Sequence, residues 1–194
     1  MAQRAFNLPN ILTYARIVAV PLVVLCFFLE GHLKSSDFAR WSALVIFLLA
    51  SITDYFDGYF ARAWQQTSNI GKMLDPIADK LLVGAVLMML VHDNTIGGPS
   101  IWAAIIILCR EILVSGLREF LAELNVKIHV SQLAKWKTAV QMVALAVLLA
   151  GPAADKVVPG ITHLGLGLLW LAALLTLWTG YDYLKAGIVH AMER

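Results

Sequence analysis

Charged side chains are scarce in this sequence. They make up 14% of its 194 residues, whereas about a quarter of an average soluble domain is charged, and 60% of the residues are hydrophobic. This shortage excludes an ordinary soluble domain and predicts a polytopic membrane protein. The net charge of +2 is too small for a nucleic-acid-binding surface, so we expect no nucleic-acid partner.

Cysteine and histidine are too few or too scattered for the sites they usually build. Cys26 and Cys109 both lie in apolar runs, where we expect small buried hydrophobic side chains rather than a disulfide framework. The five histidines are widely separated, and no two of them are four residues apart on one helix face. The sequence therefore does not predict a histidine metal site.

Six apolar stretches are long enough to cross the hydrocarbon core of a bilayer. They cover residues 11–29, 39–61, 76–92, 101–121, 131–150 and 161–182. We predict an all-α protein with six transmembrane helices in one domain, residues 1–194, because turn residues separate the stretches and no interdomain linker is evident. The first stretch is longer than the apolar core of a usual signal peptide, so we expect a retained helix. Residues 1–8 could form a short helix along the membrane interface.

Lysine and arginine side chains are unevenly divided between the two ends of the predicted helices. If both termini face the same side, nine of these cations lie on that side and three on the other. The nine are Arg4, Arg62, Lys72, Arg118, Lys127, Lys135, Lys137, Lys185 and Arg194, and the three are Lys34, Arg40 and Lys156. Because basic residues are enriched in cytoplasmic segments, this division predicts cytoplasmic termini.

Four aspartates interrupt the apolar pattern at the predicted cytoplasmic ends of the second and third helices. Asp54 and Asp57 are three residues apart, so they fall on one helix face. Asp75 and Asp79 are four apart and do the same. A carboxylate in a membrane helix is unfavourable unless it is paired or binds a metal, so a functional role is the default expectation. Carboxylates suit Mg²⁺ and Mn²⁺, and two such cations suit phosphoryl transfer.

Neighbouring residues fit the same chemistry. Gly58 and Gly71 have no side chain, so a ligand can approach the backbone closely. Arg62 is a permanent cation suited to phosphate oxygens. Structural alternatives stay open for single residues: Asp75 could cap a helix that starts at Pro76, and Gly58 could serve only helix packing. Such roles do not account for all four acids, because too few cations lie nearby to neutralise them.

In order, these residues read D-x-x-D-G-x-x-A-R, then eight residues, then G-x-x-x-D-x-x-x-D. The pattern resembles the signature of the CDP-alcohol phosphatidyltransferases at every defined position, and six helices fit that family's architecture. The resemblance implies that Asp54, Asp57 and Asp75 ligate two divalent cations, Mg²⁺ or Mn²⁺. Asp79 would be a further ligand and the general base that takes the proton of the acceptor hydroxyl.

The same resemblance implies a pocket for CDP-diacylglycerol. Gly58, Ala61 and Arg62 would line it, with Arg62 meeting the diphosphate, and Thr13 would contribute from the first helix. Gly71 would allow the two acidic helices to approach each other closely. The family also suggests a homodimer, although no motif in the sequence shows one.

Three further stretches resemble the branch of the family whose acceptor is glycerol 3-phosphate. They begin with Pro9-Asn10, Arg110-Glu111-Ile112 and Lys135-Trp136-Lys137-Thr138. Ala134 stands where a glycine is expected before Lys135, which affects only local contacts. Independently, Arg110 and Arg118 are eight residues apart and so lie close to one helix face. Lys135 and Lys137 follow on the next helix. An anionic acceptor needs such cations to bind its phosphate, whereas the alternative is that they only set the topology.

We therefore expect a bacterial cytoplasmic-membrane enzyme that transfers the phosphatidyl group of CDP-diacylglycerol to sn-glycerol 3-phosphate. The products would be phosphatidylglycerophosphate and CMP, formed at the cytoplasmic face. Two alternatives stay open. A sister transferase would use another acceptor, such as inositol phosphate or phosphatidylglycerol. A divalent-cation transporter would bind its cargo through the carboxylates, but it would need acids near the middle of several helices rather than at the ends of two.

Overall fold

The computed structural model describes residues 8–30, 36–63, 69–123 and 132–192, without the side chains of residues 54–63 and of several positions near the helix ends. The described residues form six helices and no strand, which confirms the all-α prediction. The helices are α1 (Leu8–Glu30), α2 (Ser36–Ala63), α3 (Asn69–His92), α4 (Ser100–Glu123), α5 (Gln132–Ala154) and α6 (Ile161–Met192). The interfacial helix predicted for residues 1–8 lies almost entirely outside the described residues.

The surface of the bundle is apolar along every helix. Large side chains such as Val18, Leu49, Met88 and Trp178 point outward from four different helices. In water such a surface would drive aggregation, whereas in a bilayer it is the surface that contacts lipid. The protein is therefore a membrane protein.

Four of the six helices are long and apolar enough to cross a bilayer, judged by length and composition. The four stretches are Asn10–Leu29, Ser100–Ala122, Lys135–Ala154 and Ile161–Tyr181. The other two helices, α2 and α3, are of similar length, but each carries aspartates near the end that joins them. Neither helix is among the candidate spans found in the described part of the chain, so the prediction of six membrane spans stays a prediction.

The helices form two packed groups, which are joined by the contact between α2 and α5. α1 lies along α2 and α3, α5 lies along α6 and also touches α2, and α4 packs on α6. Small side chains at the contacts, among them Ala43, Ala103, Ala144 and Ala172, are buried completely, so the helix backbones approach closely. α3 touches α4 and α5 only sparsely, which leaves room between these three helices.

Several helices extend beyond the predicted stretches, among them α6, which runs to Met192, and two of the differences, in α3 and α5, correct a reading of the sequence. α3 begins at Asn69, so Asp75 is not the N-cap of a helix that starts at Pro76, and that alternative is wrong. Pro76 removes one backbone hydrogen bond inside the helix, but Gly71 and Ala78 are buried on either side of it and keep the helix packed. The expected burial of the two cysteines is also wrong, because Cys109 is exposed and Cys26 is only half-buried; both cysteines are free.

The end of α5 is the second difference. The helix continues to Ala154, although the sequence predicts a break at Gly151-Pro152. A Cβ on Gly151 would lie 2.9 Å from Thr162 Oγ1 and 3.6 Å from Thr95 Cγ2. The glycine therefore serves close contact between the end of α5 and the start of α6, and it does not end the helix.

One end of the bundle is closed by a polar cluster centred on Arg40. The turns at residues 93–99 and 155–160 lie at this end of the bundle, which we call the loop end. Arg40 is only 4% exposed; it forms an ion pair with Asp93, donates a 3.1 Å hydrogen bond to Thr95 Oγ1 and lies 5.4 Å from the ring centroid of Phe27. The cluster joins α1, α2 and the turn between α3 and α4. We call it the Arg40 cluster. The opposite end of the bundle contains a cavity between α3, α4 and α5, and we call it the cavity end.

Candidate active site

Five of the predicted site residues lie on the last part of α2. The helix continues to Ala63, so Asp54 and Asp57 occupy one face of a continuous helix, as the spacing predicts. Gly58, Ala61 and Arg62 follow on the same helix. The side chains of all five lie outside the described part of the chain, so their roles stay predictions.

Asp75 and Asp79 lie one turn apart in the first half of α3, and Asp75 is tied to α1. The Thr13 hydroxyl donates a hydrogen bond to Asp75 Oδ1, across 62 positions of sequence. Thr13 is buried, and so are Asn10, one turn nearer the start of α1, and Arg16, one turn further into the helix. Thr13 and Asp75 were predicted separately, as a lipid-substrate residue and a metal ligand, and the structure brings them together.

Asp79 lines a cavity of about 450 Å³ between α3, α4 and α5. Its lining residues are Pro76, Asp79, Lys80, Arg110, Glu111, Val114, Ser115, Arg118, Glu119, Ala122, Lys137 and Thr138. The structure therefore places the predicted base in the same cavity as three of the predicted acceptor residues, Arg110, Arg118 and Lys137. Four cations and three carboxylates share this lining, which is a large share of charge for a membrane helix bundle.

Lys135, the fourth residue predicted for the acceptor, does not line this cavity. It is exposed on α5, two positions before Lys137, and side chains two apart on a helix point to different sides. Its assignment to the acceptor stays a prediction.

α4 presents two adjoining stripes of side chains to the cavity. Arg110 and Arg118 form a basic stripe along the helix. Val114 lies between the two arginines, and Ala122 lies one turn beyond Arg118. Glu111, Ser115 and Glu119 form a second, acidic stripe at the same spacing of four residues. A helix in contact with lipid alone would not carry either stripe, so the pattern indicates that α4 forms a polar binding wall.

Lys137 is the most deeply buried cation of the cavity. Its side chain is only 2% exposed and forms an ion pair with Glu111. The sequence places Lys137 among the cations of the cytoplasmic side, and the structure buries its side chain against α4. Glu111 was noted in the sequence only as a neighbour of Arg110. An acid inside a membrane helix is the signal that could have identified its role.

Arg110 reaches from α4 to α6. Its Nη2 donates to Thr179 Oγ1 at 3.1 Å, and its Nη1 lies 3.7 Å from Glu111 Oε1. Thr179 in turn donates to the carbonyl of Leu175 at 2.9 Å, which fixes the hydroxyl. A Cβ on Gly180 would lie 3.2 Å from Arg110 Cγ. Thr179 and Gly180 thus form a notch that holds the arginine, and sequence reasoning missed both because neither is charged.

Lys80 follows Asp79 on α3 and was also missed. Its ammonium group donates to the Ser115 hydroxyl on α4, and Ser115 Oγ lies 3.4 Å from Glu119 Oε1. Lys80 therefore reaches across the cavity from the helix that carries the predicted base.

Two of the four predicted metal-binding aspartates have described side chains. Among the described side chains, no three histidines, cysteines, aspartates or glutamates converge on one point. Only Asp75 and Asp79 of the four aspartates belong to that set, so the ligand set stays a prediction. Carboxylate oxygens one helix turn apart, with a hydroxyl beside one of them, are nevertheless a donor set that suits a hard divalent cation.

Comparison with known proteins agrees with this geometry. The family model for CDP-alcohol phosphatidyltransferase matches residues 6–178, which include all four aspartates. The CDP-diacylglycerol–glycerol-3-phosphate 3-phosphatidyltransferase of Rickettsia bellii is 48% identical over 180 residues, 93% of this chain and 94% of its own length. The enzyme of the same name from Rickettsia typhi is 49% identical, over 93% and 96% of the two chains. That of Shigella flexneri serotype 5b is 42% identical, over 97% and 99%. With its aspartate signature inside the matched region, the chain belongs to the CDP-alcohol phosphatidyltransferase family.

Proposed function

We propose that the protein transfers the phosphatidyl group of CDP-diacylglycerol to sn-glycerol 3-phosphate, giving phosphatidylglycerophosphate and CMP. The observation that carries this proposal is the cavity in which Asp79 shares a wall with Arg110, Arg118 and Lys137. A proton acceptor beside several cations fits a substrate that has both a hydroxyl and a phosphate. The names of the relatives support the same reaction.

The charge of the cavity favours an anionic acceptor. Its lining carries one more cation than carboxylates, and a phosphate monoester with up to two negative charges compensates that excess. Arginine can bind phosphate oxygens through two parallel hydrogen bonds, and lysine acts as a point charge. A cavity of about 450 Å³ also suits a small molecule. Choline, which is itself a cation, would add to the positive charge of the cavity instead of compensating it.

Asp79 is the group placed to remove the acceptor proton. It lies half-buried in the lining of the cavity, on the same helix as Asp75. In the proposed reaction its carboxylate takes the hydroxyl proton of glycerol 3-phosphate, and the hydroxyl oxygen attacks the phosphorus that carries diacylglycerol. The bond between this phosphorus and the bridging oxygen breaks, and its electron pair leaves with CMP.

The CDP-diacylglycerol side of the site rests on α1, α2 and α3. Enzymes of this family generally use divalent cations. We propose that Asp54, Asp57, Asp75 and Asp79 hold two of them, Mg²⁺ or Mn²⁺. When bound, such cations neutralise the diphosphate and the charge on the departing CMP. Thr13 fixes one oxygen of Asp75 and so orients that carboxylate toward its ligand. Arg62, Gly58, Ala61 and Gly71 would surround the nucleotide.

The location of the reaction follows from the apolar surface and the bacterial relatives. Both favour the bacterial inner membrane. The excess of lysine and arginine near the cavity end supports a cytoplasmic cavity and cytoplasmic termini. Homodimerisation stays a prediction.

The test is an assay of CMP release by the purified enzyme with CDP-diacylglycerol and a panel of acceptors. The panel contains glycerol 3-phosphate, inositol phosphate, phosphatidylglycerol and serine, and the lipid products are separated by head group. We expect rapid release only with glycerol 3-phosphate. Faster release with any other acceptor would assign the protein to a sister activity.

A further inference from the structure

The cavity contains a cation that neither the sequence motifs nor the acceptor assignment includes. Lys80 lines it from α3, whereas Arg110 and Arg118 line it from α4 and Lys137 from α5. Each of the three helices around the cavity thus contributes at least one cation. Lys80 is the one that directly follows the predicted base.

The partner of Lys80 distinguishes it from Lys137. Lys137 is bound to the carboxylate of Glu111, which neutralises it. Among the described side chains, the hydrogen-bond partner of Lys80 is the uncharged hydroxyl of Ser115. A hydroxyl satisfies one donor of the ammonium group but does not cancel its charge. Lys80 therefore keeps a positive charge directed into the cavity.

Ser115 also sets the position of that charge. It lies in the middle of the acidic stripe, one turn from Glu111 and one turn from Glu119. The bond to Ser115 consequently places the ammonium group of Lys80 on the α4 side of the cavity, on the helix that also carries Arg110 and Arg118. A phosphate bound by these arginines would meet Lys80 from the opposite helix.

We propose that Lys80 binds the phosphate of the acceptor and is a specificity-determining residue for anionic acceptors. On binding, a phosphate oxygen replaces the Ser115 hydroxyl as the partner of the ammonium group. Because Lys80 adjoins Asp79 in the chain, it holds the phosphate at a fixed distance from the base, so that the hydroxyl at the far end of the molecule reaches Asp79. The proposal rests on the proposed function, since it requires a phosphorylated acceptor.

The experiment compares three variants by steady-state kinetics of CMP release. Lys80→Gln removes the charge but can still bond to Ser115, Lys80→Arg keeps the charge, and Ser115→Ala removes the hydroxyl. We expect Lys80→Gln to raise KM for glycerol 3-phosphate about tenfold or more, with kcat and KM for CDP-diacylglycerol changed far less. Lys80→Arg should recover most of the loss. Ser115→Ala should raise KM less than about threefold, because only a hydrogen bond to a neutral group is lost.

Lys156→Gln is the matched control. It is the same substitution at an exposed lysine at the loop end, and it should leave all kinetic constants unchanged. Size-exclusion profiles of every variant verify that the fold is retained, and Lys80→Arg provides a charged variant of similar size should Lys80→Gln fail to fold.

Three results would overturn the proposal. The first is a loss in Ser115→Ala as large as in Lys80→Gln, which would make Lys80 a bridge between α3 and α4. The second is a fall in the kcat of Lys80→Gln at unchanged KM for glycerol 3-phosphate. This result would show that Lys80 acts on Asp79 and not on the acceptor phosphate. The third is a failure of Lys80→Arg to recover the acceptor KM. Failure of the proposed function is seen separately, as an unmodified enzyme that releases no CMP with glycerol 3-phosphate.

Discussion

The two ends of the helix bundle both bury basic side chains, but they give them different partners. At the loop end, Arg40 is bound directly to the carboxylate of Asp93, to Thr95 and to the face of Phe27. At the cavity end, the shortest described bonds of Lys80 and Arg110 go to the uncharged hydroxyls of Ser115 and Thr179. The carboxylate nearest to Arg110 lies further away and is shared with Lys137.

This difference distinguishes Arg40, whose charge stabilises the fold, from Lys80, for which we propose a role in binding the acceptor. A buried cation bonded to a carboxylate is already neutralised, and breaking the pair leaves an uncompensated charge. Lys80 is held by the hydroxyl of Ser115, which positions its ammonium group but does not neutralise it. Changes at Arg40 should therefore affect stability without changing kinetics, and changes at Lys80 should affect kinetics first.

The largest expected effect is on turnover, from Asp79→Asn. We expect kcat to fall about 10²–10⁴-fold, because the amide cannot accept the hydroxyl proton. Binding of CDP-diacylglycerol should persist, measured by equilibrium binding of the labelled lipid in detergent. The control is Asp37→Asn, which removes an exposed carboxylate at the loop end. Near-normal turnover would remove Asp79 from the mechanism, and loss of lipid binding would make it chiefly a metal ligand.

Removal of divalent cations should also abolish activity, but reversibly. EDTA should stop CMP release, and Mg²⁺ or Mn²⁺ in excess should restore it, because the four aspartates need a cation to bind the diphosphate. Binding of Mn²⁺ measured by electron paramagnetic resonance provides a second readout, which Asp75→Asn should weaken. Activity that survives complete chelation would contradict the metal role.

Breaking the Arg40 cluster should lower stability with no change in KM. Asp93→Asn leaves Arg40 buried and unneutralised, at a cost of about 3–5 kcal/mol in the free energy of unfolding. Denaturation of the purified protein in mixed micelles measures the loss. Arg40→Met combined with Asp93→Leu should recover much of it, because no charge is then buried. A rise in the acceptor KM of the folded single variant would contradict the assignment of this cluster to stability.

The notch on α6 should affect acceptor binding through Arg110. Gly180→Ala places a methyl group 3.2 Å from Arg110 Cγ, so the arginine side chain must shift, and its bond to Thr179 is disturbed. We expect KM for glycerol 3-phosphate to rise about tenfold, equivalent to about 1.4 kcal/mol, at nearly constant kcat. Thr179→Val should also raise this KM, because it removes the hydroxyl to which Arg110 donates. Thr179→Ser keeps the hydroxyl and should leave KM unchanged.

A second glycine of α6 provides the control for this substitution. A Cβ on Gly167 meets no atom within 4 Å, so Gly167→Ala should leave the kinetics unchanged. Equal effects of the two alanines would show that Gly180 does not act through Arg110.

The smallest expected effect is a pH dependence of stability at the loop end. The nearby Thr162 hydroxyl and a 3.1 Å hydrogen bond from the Thr162 backbone N–H lower the pKa of the Asp155 carboxyl below its ordinary value. The folded state therefore favours the ionised form, and this contribution is complete above about pH 4 and lost as the pH falls through the lowered pKa. The difference in melting temperature between the unmodified protein and Asp155→Asn should be small at pH 7 and should shrink toward pH 3. A constant difference would contradict the assignment.

Much of the fold could be predicted from the sequence because long apolar runs leave little choice but helices. The boundaries at Asn69 and Ala154 could not, since proline and glycine usually mark breaks, and only contacts with other helices show that here they do not. The aspartates, Arg110 and Lys137 were identified because charge is rare in such a chain. Lys80, Thr179 and Gly180 were missed because their roles depend on partners on other helices, which no local pattern shows.

The position of α3 has a consequence for how two very different molecules can meet. Asp75 is bonded to Thr13 on α1, and Asp79, about 6 Å further along the helix axis, faces the cavity between α3, α4 and α5. In the proposed reaction one substrate is an oil-soluble lipid and the other a water-soluble ion. A single turn of α3 then separates the lipid phase from the aqueous cavity. Each substrate can therefore stay in its own phase while the bond between them forms.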